Sequence, residues 1–225
     1  MMVERIAPQN GRWTAMDGYI VEHLLGDDAG AAALAANVTA GLPEIDVSPP
    51  QGKMLHLMAR MTGARRILEV GTLGGYSTIW LARALPEDGE LVSLELDPHH
   101  ANVARANVAA AGLADRVRIV TGAAIDTLAT LNGAFDFIFI DADKPSNVTY
   151  LREALRLSRP GTAIVVDNVV REGGVLDVDS EDDRIQGTRA LFEAIGAEPR
   201  LRATAVQTVG AKKWDGFVLA LVDAA

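Results

Sequence analysis

The sequence predicts an α/β fold: a mostly parallel seven-stranded sheet with an antiparallel last strand, preceded by a helical N-terminal extension. Three observations carry this. From residue 66 onward, short apolar runs alternate with helical stretches, the pattern of a parallel sheet covered on both faces. The first apolar run ends in a glycine-rich turn, Gly71-Thr72-Leu73-Gly74-Gly75. The last two runs, 201–209 and 216–222, are joined by a loop too short for a crossover, which makes them antiparallel.

Before that alternation, residues 1–50 form the extension. Tyr19, Ile20, Leu24 and Leu25 sit at helical spacing and a small-residue run follows over 29–36, so two helices are expected. A turn at Gly41-Leu42-Pro43 and a loop through Ser48-Pro49-Pro50 close the segment. Gly52 precedes a further helix. Its Met54, Leu57, Met58 and Met61 fall at i, i+3, i+4 and i+7 and are expected to face the core.

The strands follow at 66–70, 91–96, 117–120, 135–140 and 162–166. Between the first two, residues 77–85 are helical. Asp97-Pro98 opens the next helix, with Asp97 as N-cap and Pro98 in the first helical position. His99 and His100 then fall in a solvated first turn. Val148, Leu151 and Leu155 mark a helix that stops at Pro160-Gly161.

Composition narrows the functional classes. Of 225 residues, 49% are hydrophobic and 23% charged, the balance of a packed domain and not of a disordered chain. The length fits a single domain carrying an extension. No apolar run reaches the ~18 residues that span a bilayer. The opening Met1-Met2-Val3-Glu4-Arg5 lacks a signal-peptide pattern. Without cysteine there is no disulfide, thiolate site or thiol nucleophile, and a cytoplasmic location is expected. A net charge of −9 repels phosphate-rich partners, so neither nucleic acid nor membrane is expected to bind. The Lys212-Lys213 pair beside Trp214 is expected to be an exposed loop.

Ligands of such sheets bind at the carboxyl ends of the strands, where strand order reverses. The glycine turn follows strand one and offers backbone N–H groups at a helix start. It is neither G-x-G-x-x-G, because Leu73 stands at the second glycine position, nor a P-loop, because no Gly-Lys-Ser/Thr follows. A leucine there leaves little room for a pyrophosphate. Glu95 lies near the end of the second strand, 26 residues after Glu69, and can accept hydrogen bonds from two ribose hydroxyls. Glu69 is an acid inside an apolar strand and suits an ammonium group. Carboxylate, ammonium, ribose and no phosphate together describe S-adenosylmethionine.

A second cluster closes strands four and five: Asp141-Ala142-Asp143-Lys144 and Asp167-Asn168. Neighbouring strands would bring Asp141, Asp167 and Asn168 together as three hard oxygen donors, a set that suits Mg²⁺ or a similar ion. Lys144 beside them can serve as general base toward a substrate hydroxyl, or form a salt bridge to Asp141 or Asp143. Pro145 is expected to keep Lys144 extended at the strand end.

These residues resemble the cation-dependent class I O-methyltransferases, the group containing catechol and caffeoyl-CoA O-methyltransferases. The likeness rests on Leu68-Glu69-Val70-Gly71-Thr72 with Gly75-Tyr76-Ser77, on Asp141-Ala142-Asp143-Lys144, on Asp167-Asn168 and on Trp214-Asp215-Gly216. It runs in order from about residue 41 to 222 and is greatest toward the small bacterial branch. The resemblance implies a Rossmann-like fold and a homodimer. It implies cofactor contacts at Val47, Glu69, Gly71, Thr72, Ser77, Glu95, Ala124 and Asp143. It also implies a divalent cation (Mg²⁺, with Mn²⁺ or Ca²⁺ as alternatives) on Asp141, Asp167 and Asn168, with Lys144 as base. Glu172 stands near a position where the plant enzymes carry Asn in a substrate-facing loop, which argues against a hydroxycinnamoyl-CoA acceptor. The expected reaction is methylation of one hydroxyl of a vicinal aromatic diol. The rival readings are an NAD-dependent oxidoreductase, disfavoured by Leu73, and a non-catalytic nucleotide-binding scaffold, which has no use for the acidic cluster.

Overall fold

The computed structural model describes residues 10–26, 28 and 30–224. The start of the chain read for a signal peptide, and Ala29 of the small-residue run, lie outside the described residues. Seven strands make one sheet: β1 (Arg66–Val70), β2 (Glu90–Glu95), β3 (Val117–Thr121), β4 (Phe137–Ile140), β5 (Ala163–Asp167), β6 (Leu201–Gly210) and β7 (Lys213–Val222). Their order is β3-β2-β1-β4-β5-β7-β6. β1 to β5 are parallel, and β7 runs antiparallel to both β5 and β6. The chain steps outward from β1 to β3 and then returns to β4. The crevice beyond the carboxyl ends of β1 and β4 is therefore the switch point of the sheet.

The central strands are buried on both faces, which is why they read as continuous apolar runs. Leu68, Val70, Ile138, Ile140, Ile164 and Val166 pack one side. Ile67, Phe137, Phe139 and Val165 pack the other. This alternation places Glu69 on the second face, among α4 residues.

Among the described residues eight α-helices cover the sheet: α1 (Asn10–Ile20, continued by a π-helical turn over Val21–Leu25), α2 (Ala31–Thr39), α3 (Pro49–Met61), α4 (Tyr76–Ala82), α5 (Pro98–Ala110), α6 (Ala124–Thr130), α7 (Asn147–Arg156) and α8 (Asp183–Ala197). The Asp97 cap forms as expected, its carboxylate accepting from His99 N at 2.7 Å. α3 starts earlier than expected. Ser48 is its N-cap, accepting from Gln51 N at 3.4 Å, and the prolines fill its first turn.

The methionine face of α3 enters the core only in part: Met54 and Met58 are half-buried against it. Met61 is 85% exposed and Leu57 48%, while Gly52, Leu55 and Ala59 are buried. The reason lies at Gly52. A Cβ there would sit 2.4 Å from Trp80 Cδ1 of α4, so the helix approaches α4 through its smallest residue, and Leu57 and Met61 fall outside the contact. α6 and α8 escape a hydrophobic reading for a related reason. The buried residue of α6 is Leu128 alone, and those of α8 include Gly187 and Thr188.

The extension lies over the carboxyl end of the sheet. Tyr76 OH donates to Asp28 at 2.9 Å. Asn107 Nδ2 donates to Asn37 Oδ1 at 3.0 Å and to Gly74 O at 2.8 Å. At the other side Ala211 N donates to Asp17 at 2.7 Å. The Lys212-Lys213 turn is exposed as expected, but it is tied down: Lys212 Nζ donates to Glu44 O at 3.0 Å and Lys213 pairs with Glu172 at 3.3 Å. The histidine turn is only partly solvated. His99 is exposed with Nε2 3.0 Å from Ala40 O, and His100 is half-buried with Nδ1 3.5 Å from Glu95. No helix among the described residues is long and apolar enough to cross a membrane.

Candidate active site

The crevice has two halves, and the sheet builds each from strand ends. In the first, β1 runs into the glycine turn. Gly71 has φ +98°, and a Cβ on it would lie 2.0 Å from Asp141 O of β4, so the turn presses directly on the neighbouring strand. Glu95 caps this turn. Its Oε2 accepts from Thr72 N at 3.1 Å and Leu73 N at 2.8 Å, and its Oε1 from Asp97 N at 3.0 Å. Gly122 N donates to Glu95 O at 2.8 Å, which brings the start of α6, with half-buried Ala124, to the same place.

Beneath the turn lies a sealed polar layer. Glu69 is wholly buried, at 0% exposure. It accepts from Ser77 Oγ at 2.6 Å, Thr78 Oγ1 at 2.5 Å and Ser93 Oγ at 2.6 Å, and Thr72 Oγ1 is 2.6 Å from Ser93 Oγ. Burial pushes the Glu69 carboxyl up to about 7 against the pull of the three hydroxyls, and the Asp141 charge adds to the rise. Val47 is also buried, within the apolar layer that holds Tyr76 and Trp80.

The second half is charged. Asp167 ends β5 at 4% exposure, and Asp141 follows β4. Lys144 is 6% exposed with Nζ 3.0 Å from Asp141 Oδ1. Burial, then the Asp141 charge, push the Asp167 carboxyl up to about 7, while Lys144, the Asn168 backbone and Gln51 pull it down. Two carboxylates crowded together in a dry site attract positive charge. No third acid or imidazole completes a metal-holding group among the described residues; Asn168, which follows Asp167 directly, is the amide the chain offers beside the two acids. That donor set fits a hard divalent ion with open positions.

Lys144 reaches this place differently from expectation. It is not held extended. It opens a 3-10 turn over Lys144–Ser146 that runs into α7, and Asp143, at φ −63° and ψ 130°, is the extended residue. Pro145 suits the first positions of such a turn, where its missing N–H is not needed. Asp143 does not pair with the lysine. Tyr150 OH donates to its Oδ1 at 2.5 Å. Burial raises the Asp143 carboxyl, but the hydroxyls of Ser146 and Tyr150 outweigh it and hold it below the usual range.

Beyond Asp167 the backbone is strained. Asn168, Arg171 and Glu172 have φ of +56°, +53° and +54°, and Lys213 in the facing turn has +74°. Such residues cost about 1–3 kcal/mol each and persist where surrounding contacts impose them. Asp215 holds part of this loop: its Oδ1 accepts from Val170 N and Arg171 N at 3.0 Å and from Gly216 N at 2.9 Å. The loop so formed borders a cavity of about 290 Å³ lined by Arg171, Glu172, Asp182, Arg184, Lys212 and Trp214, among others.

The fold thus gathers Asp141, Lys144, Asp167 and Asn168 at one end of β4 and β5, and Gly71, Thr72, Ser77 and Glu95 at the neighbouring end of β1 and β2. The sequence reading missed Ser93 and Thr78. Ser93 left a signal, since it pairs in register with Glu69 and both interrupt apolar strands. It also missed Gln51, whose Nε2 donates to Asp167 Oδ2 at 2.7 Å from 116 residues away.

Known proteins match this arrangement. A family model described as O-methyltransferase fits residues 32–221. The catechol O-methyltransferase of Mycobacterium tuberculosis is 55% identical over 209 residues, covering 92% of this chain and 94% of that one. The catechol O-methyltransferase of Niastella koreensis is 52% identical, covering 95% and 99%. Among solved structures, an O-methyltransferase from Bacillus cereus in complex with SAH superposes with a TM-score of 0.93 at 52% identity, covering 96% of this chain and 100% of that one. The matched segment runs from α2 to β7 through every residue of the crevice, and the chain belongs to the O-methyltransferase family as one of its enzymes.

Proposed function

We propose that this enzyme transfers a methyl group from S-adenosylmethionine to one hydroxyl of a vicinal aromatic diol of the catechol, flavonoid or caffeoyl type. We further propose that it uses a divalent cation, Mg²⁺ foremost and Mn²⁺ or Ca²⁺ as alternatives. The observation that carries the metal is the carboxylate pair of buried Asp167 and half-buried Asp141, with Lys144 against it. The SAH complex of the Bacillus cereus relative supports the cofactor, and the two catechol O-methyltransferases support the acceptor.

In this reading Glu95 receives the ribose hydroxyls. The backbone of Gly71 and Thr72, with Glu69 and Ser77 beneath, takes the amino-acid end. Val47, Ala124 and Asp143 line the remainder. Asp141, Asp167 and Asn168 would hold the cation, which when bound supplies Lewis-acid charge that makes an acceptor hydroxyl more acidic. Lys144 Nζ takes the hydroxyl proton. The acceptor oxygen would gain the methyl as the methyl–sulfur bond breaks and S-adenosylhomocysteine leaves, and the protein would contribute by holding the two reactants at near-attack distance. The loop of Glu172 and Trp214 borders the acceptor. The exposed Leu57 and Met61 of α3 offer an apolar face suited to a second copy in a homodimer.

The test is methyl transfer to a panel of diols by exhaustively chelated enzyme, with and without Mg²⁺, alongside calorimetric titration with S-adenosylmethionine and NAD. Binding of S-adenosylmethionine, loss of turnover on chelation and recovery with Mg²⁺ are expected. Full activity without metal overturns the cation site, and a preference for NAD overturns the cofactor.

A further inference from the structure

Gln51 belongs to the first turn of α3, far from β5 in the chain, yet its Nε2 lies 2.7 Å from Asp167 Oδ2. The amide can face the carboxylate only through its N–H side, because the carbonyl oxygen would repel an acid. Its helix is not free to shift. Ser48 caps it, Gly52 is pressed against the Trp80 ring, and Leu55 and Ala59 are completely buried. A rigid element therefore delivers one hydrogen-bond donor to one oxygen of the most buried acid in the candidate cation site.

We propose that Gln51 is a positioning residue that occupies Asp167 Oδ2, leaves Oδ1 as the single ligand oxygen and thereby favours Mg²⁺ over Ca²⁺. The argument rests on the cation site proposed above. A carboxylate oxygen that accepts from a fixed amide keeps one lone pair but is held in orientation by that donor, which disfavours chelation through both oxygens. Ca²⁺ accepts six to eight oxygens and uses bidentate carboxylates, whereas Mg²⁺ keeps strict octahedral geometry with one oxygen from each carboxylate. Partners that orient a ligating group commonly change metal affinity by about 10–100-fold when removed.

The experiment compares wild type with Gln51→Met, which keeps the side-chain length and loses the donor, and with Gln51→Asn, which keeps the amide one methylene short. Mg²⁺ and Ca²⁺ affinities are measured by calorimetry on the S-adenosylhomocysteine-loaded proteins, with thermal unfolding as a folding control. Both variants should bind Mg²⁺ about 10-fold or more weakly, and the Mg²⁺ to Ca²⁺ affinity ratio should fall by a similar factor. S-adenosylhomocysteine affinity should not change. A merely structural role lowers unfolding temperature without moving the ratio. An unchanged ratio in folded variants overturns the inference while leaving the cation site intact. So does tighter Mg²⁺ binding, which would make Gln51 a competitor for the cation's place. Absence of Mg²⁺ and Ca²⁺ binding to wild type removes the site itself, and this role with it.

Discussion

Glu69 and Asp167 are both acids buried at the ends of central strands, and burial pushes both carboxyls up to about 7. Their surroundings differ. Glu69 is closed in by three hydroxyls that answer its oxygens within hydrogen-bond distance. Asp167 faces a second carboxylate, with a lysine and one amide in attendance. An acid satisfied by neutral donors supports a turn. An acid set against another acid is incomplete until positive charge arrives. The same burial therefore yields an acid answered by hydroxyls on one side of the crevice and an acid facing another acid on the other.

The sharpest way to break this comparison is at Lys144, the amine of the charged half. Lys144→Ala should slow the chemical step by ~10²–10⁴-fold, the usual worth of a general base, with S-adenosylmethionine affinity preserved. Single-turnover rates should recover partly at high pH, where the acceptor ionises without help. A folded variant with a near-normal chemical step would reduce Lys144 to a counter-ion.

Next comes the neutral half. The folded-state value of Glu69 lies above its ordinary 4.5, at about 7. The folded protein thus holds a proton that the unfolded chain releases. This contribution is fully present below pH 4.5 and is lost as pH rises toward and through 7, by about 3 kcal/mol in all. Glu69→Gln cannot titrate. Denaturation curves for the two proteins between pH 4.5 and 8 should show wild type losing that much stability relative to the variant. A constant difference would mean that the hydroxyl layer keeps Glu69 ionised throughout.

Glu95→Ala should weaken S-adenosylmethionine binding by about 1.5–3 kcal/mol, the range for hydrogen bonds to a charged group, as read by calorimetry. Because Glu95 also caps Thr72 N and Leu73 N, a loss beyond that range would mean that the turn itself has collapsed. The smallest effect is expected at Glu172. Glu172→Asn releases Lys213 and should reorder acceptors by a few-fold in kcat/KM, one exposed ion pair being worth ~1 kcal/mol or less. An unchanged ranking over a broad panel would place the loop outside the acceptor site.

The sequence discloses the charged half better than its supports. Asp141, Lys144, Asp167 and Asn168 stand out because ionic and amide groups close two apolar runs. β1, β2, β4 and β5 are legible for the same reason, since burial on both faces leaves few polar interruptions besides Glu69, Ser93 and the strand-end acids. Gln51 is silent, because its only meaning is a contact across 116 residues. The packed face of α3 is silent because Gly52 carries it. The turn at Lys144 misled because the restraint of Pro145 was assigned to the lysine in its backbone conformation, when the turn takes in both residues and Asp143 is the extended one.

The position of β7 has a consequence for how the molecule is made. It is the last strand in chain order, yet it is not at the border of the sheet: it slots between β5 and β6. During synthesis β6 emerges with no neighbour to pair with, and β5 waits with one side bare. Nothing joins them until 213–222 has left the ribosome. A nascent chain stopped short of Lys213 would lose an inner stave and not a rim, leaving two strands with unpaired backbone, a template for pairing between chains. Such contacts between distant parts of the chain also slow folding. The end of β5 that carries Asp167 thus gains its second neighbour only once β7 has been made, so a growing chain cannot complete this side of the crevice before then.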